Sequence, residues 1–319
     1  MPARVPSRKI LTAVVGQAIQ APSSHNTQPW IFVIAEGRVE LWADRTRALP
    51  VNDPVDRELT ISCGAALLNL RVGAASKGLV ASATLLPERD EPDLLARVSF
   101  APAAARPRDA RLAKYIARRR TYRQRFALRP VPDEAATAFA AAAGQEGAWF
   151  HPLTTDAQRE AAAALVAEGD AAQWADPCWR RELASWMHPR RRGEGLTVPG
   201  LAQPFAQAVV RTFDMGKGVG ARDRQLADES PLLAVLGTPG DGPPDWLAAG
   251  QALERVLLTA VAHGLQASYL NQPVQVGALR PRLGTLTGRP GHAQLLLRFG
   301  VPLKRLTAAP RRPVAAVID

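Results

Sequence analysis

"GAALLNLRVGAASKGLVASATLLP", residues 64–87, and "GQALERVLLTAVAHGLQASYLNQP", residues 250–273, align without a gap. Gly64 stands against Gly250, Ala66 against Ala252, Leu67 against Leu253 and Ala74 against Ala260, and both copies end in proline, Pro87 and Pro273. The pairs Gly78-Leu79 and Ala81-Ser82 recur as Gly264-Leu265 and Ala267-Ser268. In the second copy Leu253, Leu257, Ala260, Val261 and Gly264 keep the spacing of a buried helical stripe, and the small residues let a neighbouring helix approach closely. Lys77 and His263 each precede a glycine, a cation and a left-handed residue that stop a helix. Each copy therefore predicts a long helix running into a short strand, "LVASATLL" or "LQASYL". Common Ala and Leu can imitate a repeat, but Gly, Ser and Pro coincide as well, so two copies of one unit fused head to tail is the better reading.

The rest of the chain aligns around that repeat. The first half reads as a helix over about 8–20, a polar loop, a hairpin "WIFVIAEGRVELWAD" turning at Glu36-Gly37, the repeat, and a strand in "LLARVSF". The second half offers a helix over about 132–144, a weak strand near "AWFHPL", a strand at 231–238, the repeat, and a closing strand at 293–301. Helices and strands mix without strict β-α-β alternation, which predicts an α+β architecture of mixed or antiparallel sheets flanked by helices. The halves fall at 1–106 and 107–319. Neither copy explains residues 176–220, which carry Trp179, Trp186, Met187, Phe205 and Phe213 but are broken by Pro and Gly. Such a segment reads as a lid, or as a satellite cluster covering one edge of the core.

Composition bounds the function. The chain has 319 residues, 47% of them hydrophobic, enough for one large core or two modest ones. Its net charge of +11 would suit nucleic acid. The excess, however, is Arg in an Ala-, Pro- and Gly-rich chain, interspersed with acids, and only 117–125 and 189–194 are dense in it, without an aromatic-rich basic module. No nucleic-acid partner is expected. Cys63 and Cys178 make neither a disulfide framework nor a zinc spacing, which points to a reducing, cytoplasmic setting and to no metal. "SRKILTAVVGQAIQA" (7–21) loosely resembles a signal peptide, but Gln17 and Gln20 interrupt it, and Ile10, Val14, Ala18 and Ala21 share one face of an amphipathic helix. No run is apolar enough for a membrane span.

"APSSHNTQPWIFVI" (21–34) packs an amide, an imidazole and an indole among small polar residues, more than a turn requires. This loop and its strand, a later "RRTYR" (119–123), the helix "GQALERVLLTAVAHGL", and a closing "LLLRFGVP" with "RRPV" together resemble the FMN-dependent nitroreductase family. The duplicated form resembles its twin-domain, Acg-like branch. The similarity covers nearly the whole chain apart from 176–220. Ordinary members are homodimers with two FMN sites at the interface, so the resemblance implies a monomer acting as an intramolecular pseudo-dimer of two nitroreductase-like halves.

The resemblance also implies a site. Arg119, Arg120, Thr121 and Arg123 match the family's phosphate-binding pattern, and Arg311 or Arg312 matches its terminal basic contact. Guanidinium groups and a hydroxyl suit a flavin phosphate bearing close to two charges, although such a cluster alone is usually solvated surface. Pro22, Ser23, Ser24 and Asn26 are expected on the isoalloxazine ring, whose donors and acceptors call for amides and hydroxyls. Gln28 should hold the loop's backbone, and His25 should make a structural hydrogen bond rather than catalyse. Tyr269, Leu270, Asn271 and Gln272 fall beside the flavin's central ring, where many single-domain members have an acid followed by glycine. The second half lacks the loop and the first lacks the arginine motif, so one FMN per chain is expected. The implied activity is hydride transfer from NAD(P)H through FMN to a small electron-poor acceptor such as a nitroaromatic, quinone or enone, with the protein supplying orientation and electrostatics. The alternative is a protein that stores or sequesters flavin beneath 176–220, with little turnover. No catalytic residue is assigned.

Overall fold

The computed structural model describes residues 5–104, 108–187, 193–196, 210–211 and 216–319. Helix α1 (Arg8–Ala18) buries Leu11, Val14, Val15 and Ala18. A loop leads to the hairpin β1 (Trp30–Ala35) and β2 (Arg38–Ala43), which turns at Gly37 with φ 68°, a conformation that glycine adopts without a Cβ clash. Then come α2 (Arg57–Ser76), β3 (Leu79–Leu85) and β4 (Leu94–Pro102). These strands form an antiparallel sheet in the order β1-β2-β4-β3.

After the short α3 (Ala113–Ile116), the plan repeats with α4 (Asp133–Gly144) and β5 (Trp149–Pro152). Three helices follow: α5 (Asp156–Ala175), α6 (Pro177–Ser185) and α7 (Gly216–Asp228). The unit is completed by β6 (Leu232–Thr238), α8 (Pro243–Ala262), β7 (Gln266–Tyr269), α9 (Gln272–Gln275), α10 (Arg280–Thr285) and β8 (His292–Gly300). The second sheet is again antiparallel, β5-β6-β8-β7, the same order as the first. Both repeated helices stop as their spacing predicts, Lys77 preceding Gly78 at φ 73° and His263 preceding Gly264 at φ 75°. Helix α2 has a mean hydropathy that would suit a membrane span, but 89% of that window is buried inside the protein.

The counterpart of the tight β1–β2 turn is residues 153–231, so the expected segment 176–220 is the middle of a longer insertion. It begins with α5, whose Thr155 Oγ1 accepts from the Gln158 amide in a capping box. The insertion packs on the first half: Trp179 Nε1 donates to Asn52 Oδ1 at 2.9 Å, and Glu182 accepts from the backbone amides of Val51 and Asn52. Phe205 and Phe213 lie outside the described residues.

The halves meet where α2 crosses α8. A Cβ on Gly64 would overlap the Leu247 carbonyl oxygen and lie 3.0 Å from Gly250 Cα. A Cβ on Gly250 would overlap the Ile61 carbonyl oxygen and lie 2.8 Å from Gly64 Cα. Ile61 and Leu247 each stand three residues before their glycine, so the contact is the reciprocal kind found at a two-fold interface. Leu247 belongs to the core of the first sheet and Ile61 to the core of the second. The chain's end also crosses over: Phe32 N donates to Val317 O at 2.8 Å and Asp319 N to Phe32 O at 3.0 Å, covering the β1 edge.

Helical Gly→Ala changes usually stabilise by about 1 kcal/mol. Gly64→Ala and Gly250→Ala should instead destabilise by about 1–3 kcal/mol each, because the overlapped atoms are backbone. Gly144→Ala, with nothing near its added methyl, should be neutral or stabilising. Chemical denaturation of the three variants checks this.

Candidate functional site at the junction of the halves

The loop after α1 is conformationally costly. His25, Asn26 and Gln28 have φ of 47°, 55° and 53°, a region that Asn and His tolerate better than most residues but that is rarely populated three times in four positions. Its neighbours hold it there. Ser23 Oγ accepts from Gln28 N at 3.0 Å, and Arg47 Nε donates to Thr27 O at 2.7 Å. The fully buried Gln28 side chain accepts from Arg312 N at 2.9 Å and donates to Gly193 O at 2.7 Å. Gln28 thus ties the loop to both the C-terminal segment and the insertion. Pro22 is buried, and Ser24 and Asn26 are partly exposed.

The arginine motif reaches the same place from the second half. Thr121 pairs with Ala267 on β7, Tyr122 N donates to Ala267 O at 2.8 Å, and Arg120 N donates to Gln266 Oε1 at 2.9 Å. Arg119, 5% exposed, points inward and donates to Gln20 O at 3.0 Å. Arg311 donates to the same oxygen at 3.2 Å, to Ala21 O at 3.1 Å and to Asn26 Oδ1 at 3.1 Å. Two guanidiniums therefore share one carbonyl beside the loop. Burial pushes Arg311 down to about 10, helped by Arg119, and lowers Arg120, helped by Arg119 and Arg305. Arg123 is exposed, and its charge together with the larger effect of burial brings the His25 imidazole down to about 4. Arg312 turns elsewhere, donating to Gln28 O and Ala316 O and lying 3.7 Å from Asp44.

At the end of β7, Tyr269 lies among these cations and Leu270 is buried with its amide on Leu296 O. Asn271 accepts from Leu296 N at 3.2 Å. Gln272 Nε2 donates to Asp170 and Asp223, both on the insertion, at 3.2 and 2.8 Å. Burial and the neighbouring Asp223 push Asp170 up to about 7.

Two carboxylates at the junction are not among the expected site residues. Glu58, on α2, accepts from Ser24 Oγ at 2.7 Å and from Asn271 Nδ2 at 3.3 Å. Glu254, on α8, is fully buried, 3.5 Å from Arg119 Nε, and neither oxygen has a hydrogen bond of normal geometry among the described residues. Near it Arg119 Nε, Arg311 Nε and the Tyr269 hydroxyl, and beside Arg119 the Arg120 Nε, are buried and make no hydrogen bond among the described residues. The available signal for Glu254 was an acid in a helix whose neighbours read as core. The signal for Glu58 was weaker, since an acid in a first helical turn is ordinary.

A doubled α+β unit with a strained polar loop from one half facing a buried arginine cluster from the other is a fused pseudo-dimer with a cationic cluster at its junction. Comparison with known proteins identifies the lineage. The chain is 32% identical over 323 residues to "Putative NAD(P)H nitroreductase Rv3131" of Mycobacterium tuberculosis, covering 98% of this chain and 92% of that one. It is 29% identical to "Putative NAD(P)H nitroreductase acg" of the same organism, covering 99% and 97%. The chain belongs to the nitroreductase family, in its twin-domain, Acg-like branch. No family model matches it. Among solved structures, the FMN and NADPH-dependent nitroreductase NfnB from Sphigopyxis sp. strain HMH is 20% identical with a TM-score of 0.42, covering 65% of this chain and 97% of that one. An iodotyrosine deiodinase bound to FMN and 3-iodo-L-tyrosine is 14% identical with a TM-score of 0.43, covering 63% and 95%.

Burial raises Glu254 from 4.5 to about 7 against the pull of Arg119, Asn69 and Arg311. The unfolded chain loses this proton first, so the group's contribution to stability falls as pH rises from about 4.5 through about 7 and is level above. Glu254→Gln should therefore match the wild type near pH 5 and exceed it by up to about 3 kcal/mol at pH 8. Urea titrations at pH 5, 6, 7 and 8 measure the difference, and a difference independent of pH would rule out this titration.

Proposed function

We propose that the chain is an FMN-binding oxidoreductase that passes hydride from NAD(P)H to a small electron-poor acceptor, with one site between its halves, divided near residue 106. The observation that carries the reading is the set of buried Nε donors of Arg119, Arg120 and Arg311 that make no hydrogen bond among the described residues. Three cations against one carboxylate, Glu254, leave a charge excess that a phosphate dianion would complete, so the donor set fits the flavin phosphate. The names of the mycobacterial relatives agree with the NAD(P)H half of the reading.

In this reading Arg119, Arg120 and Arg311 hold the phosphate, with Thr121 and Arg123 at its margin. Arg312 serves Gln28 and the loop instead. Pro22, Ser23, Ser24 and Asn26 give the ring an apolar edge and small polar groups, opposite Tyr269, Leu270, Asn271 and Gln272. Bound FMN would supply reversible two-electron chemistry, while the protein fixes its orientation and excludes water. His25, low in pKa, is neutral at physiological pH and adds no charge.

One observation favours a second reading, a flavin store. The insertion lies directly on the loop: Gly195 N donates to Asn26 O at 3.1 Å, Asn26 Nδ2 donates to Gly195 O at 3.3 Å, and Glu194 pairs with Arg47. A lid closed in this way would hinder access to the ring.

The purified chain should carry one FMN per polypeptide, and two would contradict a single junctional site. Arg119→Ala, Arg120→Ala and Arg123→Ala together should abolish flavin retention in a folded protein, since charge-assisted hydrogen bonds contribute about 1.5–3 kcal/mol each. Adding NADPH or NADH anaerobically separates the readings: bleaching of the flavin bands followed by recovery with a quinone or nitroaromatic marks the oxidoreductase. Flavin that stays oxidised until the segment at about 176–220 is shortened marks the store.

A further inference from the structure

Both walls of the proposed site end on one carboxylate. Glu58, in the first turn of α2, is 2% exposed. Its Oε2 accepts from Ser24 Oγ at 2.7 Å, on the first-half loop. Its Oε1 accepts from Asn271 Nδ2 at 3.3 Å, on the second-half segment after β7. Gln275 Nε2, on α9, bridges both oxygens at 3.1 and 3.0 Å and is itself tied to the insertion, since Gln275 Oε1 accepts from Gln173 Nε2 at 2.8 Å. Arg57 Nη2 forms an ion pair with Glu58 Oε1 at 3.5 Å, which partly offsets its charge, and Arg57 also donates to the carbonyls of Gln294 and Val274. The repeat places Pro244 at the equivalent point of α8, so the other half has no such group.

An acid in a first helical turn has an ordinary explanation, the attraction of the helix N-terminus. That explanation does not require three side-chain donors, drawn from the loop and from the opposite half, to converge on the two oxygens. We propose that Glu58 is the positioning residue of this site: it locks the Ser24 loop to the Asn271–Gln275 wall and sets a carboxylate against both, which disfavours electron uptake by a flavin held between them. The proposal rests on the FMN reading. A buried charge acts at low effective dielectric, so it opposes the gain of negative charge on its neighbours more strongly than a surface acid would. Glu58 thus tunes as well as assembles the site.

The test measures affinities of the full chain. Apoprotein is titrated with oxidised FMN by fluorescence quenching, and the ratio of reduced to oxidised FMN affinity is obtained from dye-equilibrated anaerobic reduction. Glu58→Gln should raise that ratio at least tenfold, which is about 30 mV for a two-electron couple, and weaken oxidised FMN no more than severalfold. Glu58→Asp, which keeps the charge, should leave the ratio near the wild-type value while weakening binding through lost reach. Should Glu58→Gln not fold, Gln275→Leu strips one donor, leaves the carboxylate more exposed electrostatically, and should lower the ratio. An unchanged ratio in Glu58→Gln, or in Gln275→Leu where that variant stands in, overturns the proposal even if melting temperature falls, and leaves FMN binding intact as a separate result. A wild-type chain that binds no FMN overturns the cofactor reading and this proposal together.

Discussion

Two glycine Cα atoms face each other where α2 crosses α8, and the closeness of that crossing sets the rest of the architecture. With Gly64 and Gly250 against each other's helix backbones, Ile61 and Leu247 are carried past the interface into the opposite cores. Neither half then completes its own core: each takes a leucine or isoleucine from the other. Burying such side chains is worth about 1.5–3 kcal/mol each, so the halves depend on one another for more than surface contact. The return of the chain's last residues to the β1 edge adds a second exchange in the same direction.

The scaffold is symmetric but its chemistry is not. At matched positions of the repeat, Gly faces Gly and Val72 meets Leu258 in a shared cluster, whereas Glu254 corresponds to Leu68 and Glu58 to Pro244. A two-fold frame offers two equivalent clefts. The chain furnishes one of them with a strained loop, an arginine cluster and two buried acids. Fusion made this divergence possible, because a mutation in a homodimer appears on both sides of its axis, while here it appears once.

Much of the fold was legible because its determinants are local. The hairpin at Glu36-Gly37, both helix stops at Gly78 and Gly264, and the strands at 232–238 and 292–300 announce themselves by spacing and turn chemistry. Helix α5 is equally local, with a capping box at Thr155 and Gln158, but has no counterpart in the first half to align with. The site was legible only as motifs. Which of Arg311 and Arg312 turns toward Arg119 depends on Gln20 and Gln28, nearly three hundred residues away. The roles of Glu58 and Glu254 depend on partners remote in sequence, Asn271 and Gln275 for the first and Arg119 for the second, and no short window of sequence contains both members of such a pair.

Several of the buried polar atoms that make no hydrogen bond among the described residues meet at the junction. Arg119, Arg120 and Arg311 Nε, the Tyr269 hydroxyl, His25 Nδ1 and both Glu254 oxygens lie in or beside one junction. Each buried polar group without a partner costs about 1–3 kcal/mol, and three left-handed residues in the neighbouring loop add to that cost. A folded chain bearing such a load is stabilised by whatever completes those hydrogen bonds, provided the unfolded chain cannot bind it. The junction assembles only when α2 and α8 cross, because its loop comes from one half and its cations from the other. Binding of the proposed flavin phosphate would therefore be linked to the docking of the halves, and the Gly64–Gly250 contact would act on it from a distance.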